Sequence, residues 1–260
     1  MGSLIVQKKG AVGWLTFNDP AKLNAMSYEM WAGLEPALSV FEHDDEVRVV
    51  VLTGAADKAF VSGANISQFD QLRTVADAVA QYEGVAEGAQ NALYNFPKPT
   101  VARVKGYCVG GGLNLALCCD IRIACADSIF FLPAAKMGLG YRFSAIRNLV
   151  TAVGPANALD IFLSGRRFDA QEALQKGLVQ MTAPVASFDE VVDDYLEKVA
   201  ANAPLTLKAG KHMIRQFQQL PADIDLEVMR QLMQQCFDSQ DYAEGKRAFA
   251  EKRAPQFLGR

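Results

Sequence analysis

The sequence predicts an α/β fold, and three observations carry that prediction. Short β-prone runs alternate with helix-spaced apolar segments through residue 132. One of those runs, Val47 to Thr53, is almost continuously apolar, as a strand buried on both faces would be. A triple glycine, Gly110 to Gly112, opens an apolar helix directly after the β-rich run Thr100 to Val104, with Gly106 permitting the sharp turn between them. With 260 residues, half of them apolar, the chain can bury a large core.

Taken in order, Leu4 to Lys8 and Val12 to Phe17 form a hairpin about Lys9-Gly10-Ala11. Ser27 caps a helix through Glu42, with Met30, Leu34, Ala37, Leu38 and Phe41 on one face. Ala55 to Ser67 reads as an ordered loop with exposed backbone, and Thr74 to Tyr94 as a helix ending at the rigid Pro97-Lys98-Pro99 connection. Ile121 to Ala124 and Ile129 to Leu132 are strands, Pro133 to Gly140 is a loop, and Ser144 caps a helix to Val153. Beyond Pro155 helices dominate: 156–162, 170–176, 188–201, 205–217, 224–236 and 242–251. The expected organisation is an α/β body over 1–200 and a helical region over 201–260.

The net charge of −3 is spread without a basic block, which excludes nucleic acid and an anionic membrane as expected partners. No stretch approaches the ~20 apolar residues of a membrane span, and the N-terminus lacks a basic segment followed by a long apolar run. The two histidines, His43 and His212, do not suggest a metal cluster, and five cysteines without a Cys-x-x-Cys pair read as core residues in a reducing, cytoplasmic compartment.

The glycine helix is the candidate centre of function. Amides at a helix N-terminus lack intrahelical partners and sit at the positive end of the macrodipole, so they suit developing negative charge. The same cluster also suits a tight strand-to-helix turn. Its spacing fits neither a phosphate-binding Gly-x-x-x-x-Gly-Lys-Ser/Thr loop nor a dinucleotide fingerprint, and no Gly-x-Ser-x-Gly elbow is present. What remains is a pair of backbone-rich segments, Gly63-Ala64 and Gly110 to Gly112, each able to aim one N–H at a common oxygen.

These segments, with 18–26, 60–66, the glycine helix ending in Cys119-Asp120, 163–170, 177–179 and 244–253, resemble the crotonase superfamily, the enoyl-CoA hydratase/isomerase family. The resemblance spans nearly the whole chain. It implies a crotonase-like (ClpP/crotonase) spiral ββα core with a helical C-terminal trimerisation region, and a homotrimer or homohexamer. It implies that the Ala64 and Gly111 amides polarise an acyl-CoA thioester. It places Lys22, Ala25, Ala64, Asn65, Ile66 and Ser67 along the CoA moiety, with Phe249 and Lys252 completing that site, often across a subunit boundary. Coenzyme A enters as part of the substrate, and no separate cofactor or metal is expected.

Hydratases of the family carry two glutamates that position water and move its proton. The corresponding positions here are Asn114 and Ala134, which cannot serve as acid or base near neutral pH. The stretch 140–149 instead resembles the methylmalonyl-CoA decarboxylases of the superfamily, which have a tyrosine at the position of Tyr141. It departs from them at Ala64, where they carry histidine, and at Asn114, where they keep an acid. The leading expectation is therefore a lyase that decarboxylates a malonyl-type CoA using Tyr141 and the two amides. Arg142, or Arg147, would orient the carboxylate, with Asn114 and Ala134 lining the substrate pocket. Hydration or isomerisation of a 2-enoyl-CoA is the alternative, and a catalytically inactive acyl-CoA-binding homologue is the third.

Overall fold

The computed structural model describes residues 2–65, 75–137, 140–217 and 226–260. The expected hairpin is present as β1 (Ser3–Lys9) and β2 (Val12–Asn18), paired antiparallel. Alternation along β2 buries Gly13, Leu15 and Phe17 on one face. Ser27 caps α1 (Tyr28–Glu42), its hydroxyl accepting from the Met30 N–H at 3.2 Å. All five apolar residues expected on its inner face are buried, and Trp31 joins them.

From β3 (Val49–Gly54) onward the chain alternates between two sheets. β3, β5 (Thr100–Val104), β7 (Ile121–Cys125) and β10 (Met181–Ala183) extend the hairpin into a six-stranded sheet of order β1-β2-β3-β5-β7-β10. The intervening β4 (Ala59–Val61), β6 (Tyr107–Val109) and β8 (Ile129–Phe131), with β9 (Phe168–Asp169), form a second sheet of order β4-β6-β8-β9. Within the large sheet every pairing after the hairpin is parallel. The helices α2 (Val75–Tyr94) and α3 (Gly111–Cys118) each follow one small-sheet strand, which gives the repeating ββα spiral.

The large sheet is covered on both faces, as the apolar run at 47–53 requires. Val50 and Leu52 enter one core with Leu34, Phe60 and Leu113, while Val49 and Val51 enter another with Phe188, Val192 and Leu196. The last three lie on α7 (Phe188–Ala200). α8 (Pro204–Gln216), α9 (Leu226–Asp238) and α10 (Gln240–Glu251) follow.

Several local expectations are corrected. The segment 55–67 is not wholly loop, because Ala59 to Val61 pair with β6. Strands β4, β6, β9 and β10 have only two or three residues each, too few to show a period of two. Pro133 to Gly140 was expected as loop, yet Ala134 to Met137 form a helical turn, α4, closed by the Lys136 and Met137 N–H groups on the Pro133 carbonyl. Ser144 is not the cap of the next helix: α5 (Phe143–Ser164) begins after Arg142, whose extended backbone is the N-cap and whose side chain is engaged elsewhere. The break expected after Val153 is real. Gly154 at φ 74° divides α5 into two helical stretches, the second beginning at Pro155. α6 (Ala170–Gln175) is capped by the Asp169 carboxylate. Thr74 and Ile224, expected as the starts of the second and ninth helices, lie outside the described residues.

Candidate active site

The site begins at the junction of β6 and α3. Gly110 lies at φ 53°, a conformation that L-residues with a Cβ seldom adopt, and serves as the N-cap of α3. Gly112 packs so closely on β4 that a Cβ there would lie 2.3 Å from the Val61 carbonyl oxygen. These two constraints hold Gly111, the first helical residue, close to Ala64. A methyl group on Gly111 would stand 4.0 Å from the Ala64 nitrogen, with no other neighbouring heavy atom within 4 Å.

The Ala64 amide is oriented from the other side. Gly63 to Asn65 meet Met26 in an isolated parallel bridge, in which the Met26 N–H donates to the Gly63 carbonyl at 2.8 Å and the Asn65 N–H donates to the Met26 carbonyl at 2.9 Å. That pattern uses the groups on either side and leaves the Ala64 N–H turned outward. Ala64 is exposed, and among the described residues neither its amide nor that of Gly111 has a hydrogen-bond partner. Two neighbouring amides are thus left unengaged, one of them at a helix N-terminus, the kind of donor that suits an oxygen carrying negative charge.

Asn114 and Tyr141, expected in this region, are brought together. The Asn114 side chain lies beside the Tyr141 hydroxyl, and the ring packs edge-on against Phe162 at 5.9 Å. Burial pushes the Tyr141 hydroxyl above the ordinary tyrosine range, more than the neighbouring Asn114 side chain lowers it. Its proton is therefore retained at neutral pH. Ala134 is buried at the start of α4, beyond Pro133, whose ring approaches Gly110.

Arg142 is the residue expected to orient a substrate carboxylate. Its guanidinium pairs with Glu83 and, at 3.5 Å, with Glu87, both on α2, and it also donates to the Glu83 backbone carbonyl at 2.5 Å. These ion pairs tie the residue next to Tyr141 to α2. Arg147 faces inward, its guanidinium 5.1 Å from the centre of the Tyr94 ring.

Of the residues expected along the CoA moiety, Lys22 and Asn65 are neighbours, with Lys22 Nζ 3.5 Å from Asn65 Oδ1. Their segments are held together by Asn24, a buried residue not singled out from sequence. Its amide nitrogen donates to the Ala55 and Ala59 carbonyls at 2.8 and 2.7 Å, and its oxygen accepts from the Asp19 N–H at 3.0 Å. Its signal in the sequence is an asparagine shortly after Asp19-Pro20, a residue type that tolerates the left-handed φ of 56° it adopts. Ala25 is half-buried on the same turn. Ile66, Ser67 and the Phe249 side chain lie outside the described residues. Lys252 ends α10 at φ 54°, and no hydrogen bond among the described residues joins it to the 22–25 or 64–65 segments.

A separate cavity of about 560 Å³ lies at the far end of α3, floored by Asp120, Lys211 and Arg215. It contains neither of the two unengaged amides. Its charged groups satisfy one another: Asp120 accepts from Lys211 and Arg215 at 2.6 and 2.9 Å and from the Thr100 N–H and hydroxyl. Burial opposes ionisation of Asp120, but the two cations and the Thr100 donors outweigh it and hold its carboxyl below the usual range. The stabilisation is thus present above the ordinary aspartate pKa and is lost as pH falls below about 4. Asp120→Asn is expected to destabilise the fold at pH 7 by about 3–5 kcal/mol, since it leaves two buried cations unpaired. Urea denaturation across pH should show the gap to wild type closing in acid.

The fold defines a class: a ββα-spiral protein with two unengaged backbone N–H groups, those of Ala64 and Gly111, near the start of α3. A sequence profile for enoyl-CoA hydratase/isomerase matches residues 7–260, and the chain belongs to that family, within the crotonase superfamily. It is 30% identical to the short-chain-enoyl-CoA hydratase of Clostridium acetobutylicum over 253 residues, covering 97% of this chain and 96% of the relative. It is 33% identical to the 2,3-dehydroadipyl-CoA hydratase of Escherichia coli over 260 residues, the full length of both. Among solved structures, an enoyl-CoA hydratase/carnithine racemase from Magnetospirillum magneticum superposes with a TM-score of 0.94 at 35% identity, covering 100% of this chain and 97% of the other. No helix among the described residues is long and apolar enough to cross a membrane.

Proposed function

We propose that the protein acts on a 2-enoyl-CoA thioester by hydration, through an enolate held between the Ala64 and Gly111 amides. The observation that carries this reading is the pair of unengaged backbone amides, Ala64 and Gly111, that lie close together at the start of α3. Water adds its oxygen to C3, the alkene electrons move to the thioester oxygen, and the two amides stabilise the charge that develops there. The enolate then collapses by taking a proton at C2. Tyr141 is the proposed donor, since its hydroxyl is neutral and lies beside Asn114, and it recovers a proton from the added water. Lys22, Ala25, Asn65 and the segment beyond it carry the CoA moiety in this reading, with Phe249 and Lys252 supplied by a neighbouring subunit of a trimer or hexamer. The names of the relatives support a hydratase, and a cytoplasmic site of action is part of the same proposal.

Decarboxylation of a malonyl-type CoA is the second reading, favoured by Asn114 and Ala134. Loss of CO₂ generates the same enolate without any base, and Tyr141 would protonate it. Against it stands Arg142, whose guanidinium is engaged by Glu83 and Glu87. Incubating the pure protein with crotonyl-CoA and, separately, with methylmalonyl-CoA separates the two. Loss of the enoyl absorbance with no CO₂ release is expected. CO₂ release without enoyl turnover would replace the first reading by the second, and binding of both thioesters without turnover would leave an acyl-CoA-binding protein.

A further inference from the structure

Behind the Ala64 half of the site runs a buried hydrogen-bond chain that joins three elements. The Trp31 Nε1–H on α1 donates to the Tyr82 hydroxyl oxygen on α2 at 2.7 Å, and the Tyr82 O–H donates to the Met26 carbonyl at 2.8 Å. All three residues are buried, Met26 completely. That same carbonyl receives the Asn65 N–H at 2.9 Å, and the Asn65 amide also lies against the Tyr82 oxygen. Tyr82 therefore touches both ends of the Asn65 N–H to Met26 carbonyl hydrogen bond, one of the two bonds of the bridge that turns the Ala64 N–H outward.

A phenol with a single proton has one direction in which to donate, and the Trp31 indole occupies its oxygen from behind. The hydroxyl is thus directed at Met26, and burial pushes its ionisation well above the ordinary tyrosine range, so it remains a donor across the working pH. Packing alone would have been served by phenylalanine. The polar chain instead fixes the rotation of one peptide unit, and in a site built from backbone amides that rotation decides whether the donor meets the oxyanion.

We infer that Tyr82, backed by Trp31, is a positioning residue that sets the direction of the Ala64 N–H and thereby the strength of the oxyanion hole. This rests on the reading of Ala64 and Gly111 as that hole. Tyr82 touches neither substrate nor reacting atoms, and its effect passes through Met26 and Asn65.

The test compares Tyr82→Phe and Trp31→Phe with wild type, using kinetics on crotonyl-CoA and the isotope-edited carbonyl stretch of ¹³C-labelled butyryl-CoA bound to each. Tyr82→Phe is expected to lower kcat by about tenfold or more with KM little changed, as misorientation of a catalytic group does. The bound carbonyl should lose part of the downward shift seen in wild type. Trp31→Phe should give a smaller effect of the same kind, and the double variant should be no worse than Tyr82→Phe, because the indole acts through the phenol. A Tyr82→Phe protein with the full wild-type shift and kcat would overturn the positioning role while leaving the oxyanion hole in place. A wild-type carbonyl with no shift would overturn the oxyanion reading and this inference together. If Tyr82→Phe fails to fold, Trp31→Phe carries the test, and an unchanged stretch and kcat in that variant would overturn the inference.

Discussion

Replacing Gly111 by proline is expected to lower kcat/KM on the turned-over thioester by about 10²–10³-fold, the loss of roughly 2.7–4 kcal/mol that accompanies removal of one oxyanion-hole donor. Backbone donors resist side-chain truncation, so the N–H itself has to go. Proline removes it at the one helical position where the ring is best tolerated, the first residue of α3, whose amide has no intrahelical acceptor in any case. The Cβ position is open, the nearest neighbouring atom to it among the described residues being the Ala64 nitrogen at 4.0 Å, while the ring Cδ takes the place of the N–H hydrogen and so also fills part of the hole. Far-UV circular dichroism and the urea midpoint should remain close to wild type. Gly111→Ala makes an informative companion because it keeps the N–H but puts a methyl group in the space in front of Ala64, so it should act by excluding the thioester and raise KM.

Replacing Tyr141 by phenylalanine is expected to lower kcat by about 10²-fold, at the lower end of what a positioned general acid contributes. Thioester affinity should change little, because the ring still packs on Phe162 and the oxyanion hole is untouched. Asn114→Ala should give a smaller loss of the same kind, as it strips the hydroxyl of its neighbour without removing it. The pH profile offers an independent sign. Burial raises the Tyr141 ionisation, so the acid form persists through the ordinary tyrosine value of about 10, and no alkaline decline from this group is expected below it. A decline centred near pH 8 would assign the proton to another group.

The spiral was legible where the chain repeats strong signals. The Ser27 cap, the apolar face of α1 and the doubly buried β3 all state their own structure, because cap chemistry and a continuous apolar run have few other uses. β4 and β6 were not legible: three residues between glycines carry no period, and they become strands only through pairing with each other and, for β6, with β8. Gly111 could be read from its glycine cluster. Ala64 was legible only as part of the backbone-rich pair Gly63-Ala64, since an alanine announces no chemistry, and its particular role came from resemblance to a family. Tyr82 and Trp31 belong to α2 and α1, where aromatic residues read as packing, so the polar chain between them emerges only when residues 51 apart in sequence meet. The carboxylate partners of Arg142 were hidden for the same reason, lying 59 positions away on α2 in the case of Glu83. An arginine next to a candidate catalytic tyrosine invites a substrate role, and only the fold supplies the competing acids.

The central claim is that a thioester oxygen lodges between the amides of Ala64 and Gly111. A crystal structure of the protein with bound butyryl-CoA, a saturated thioester that cannot be hydrated, tests it most directly. The account predicts the carbonyl oxygen within about 2.7–3.1 Å of both nitrogens, with the acyl chain directed toward Tyr141 and Asn114. A thioester ordered elsewhere, for instance in the cavity over Asp120 and Lys211, with both amides unoccupied, would contradict it.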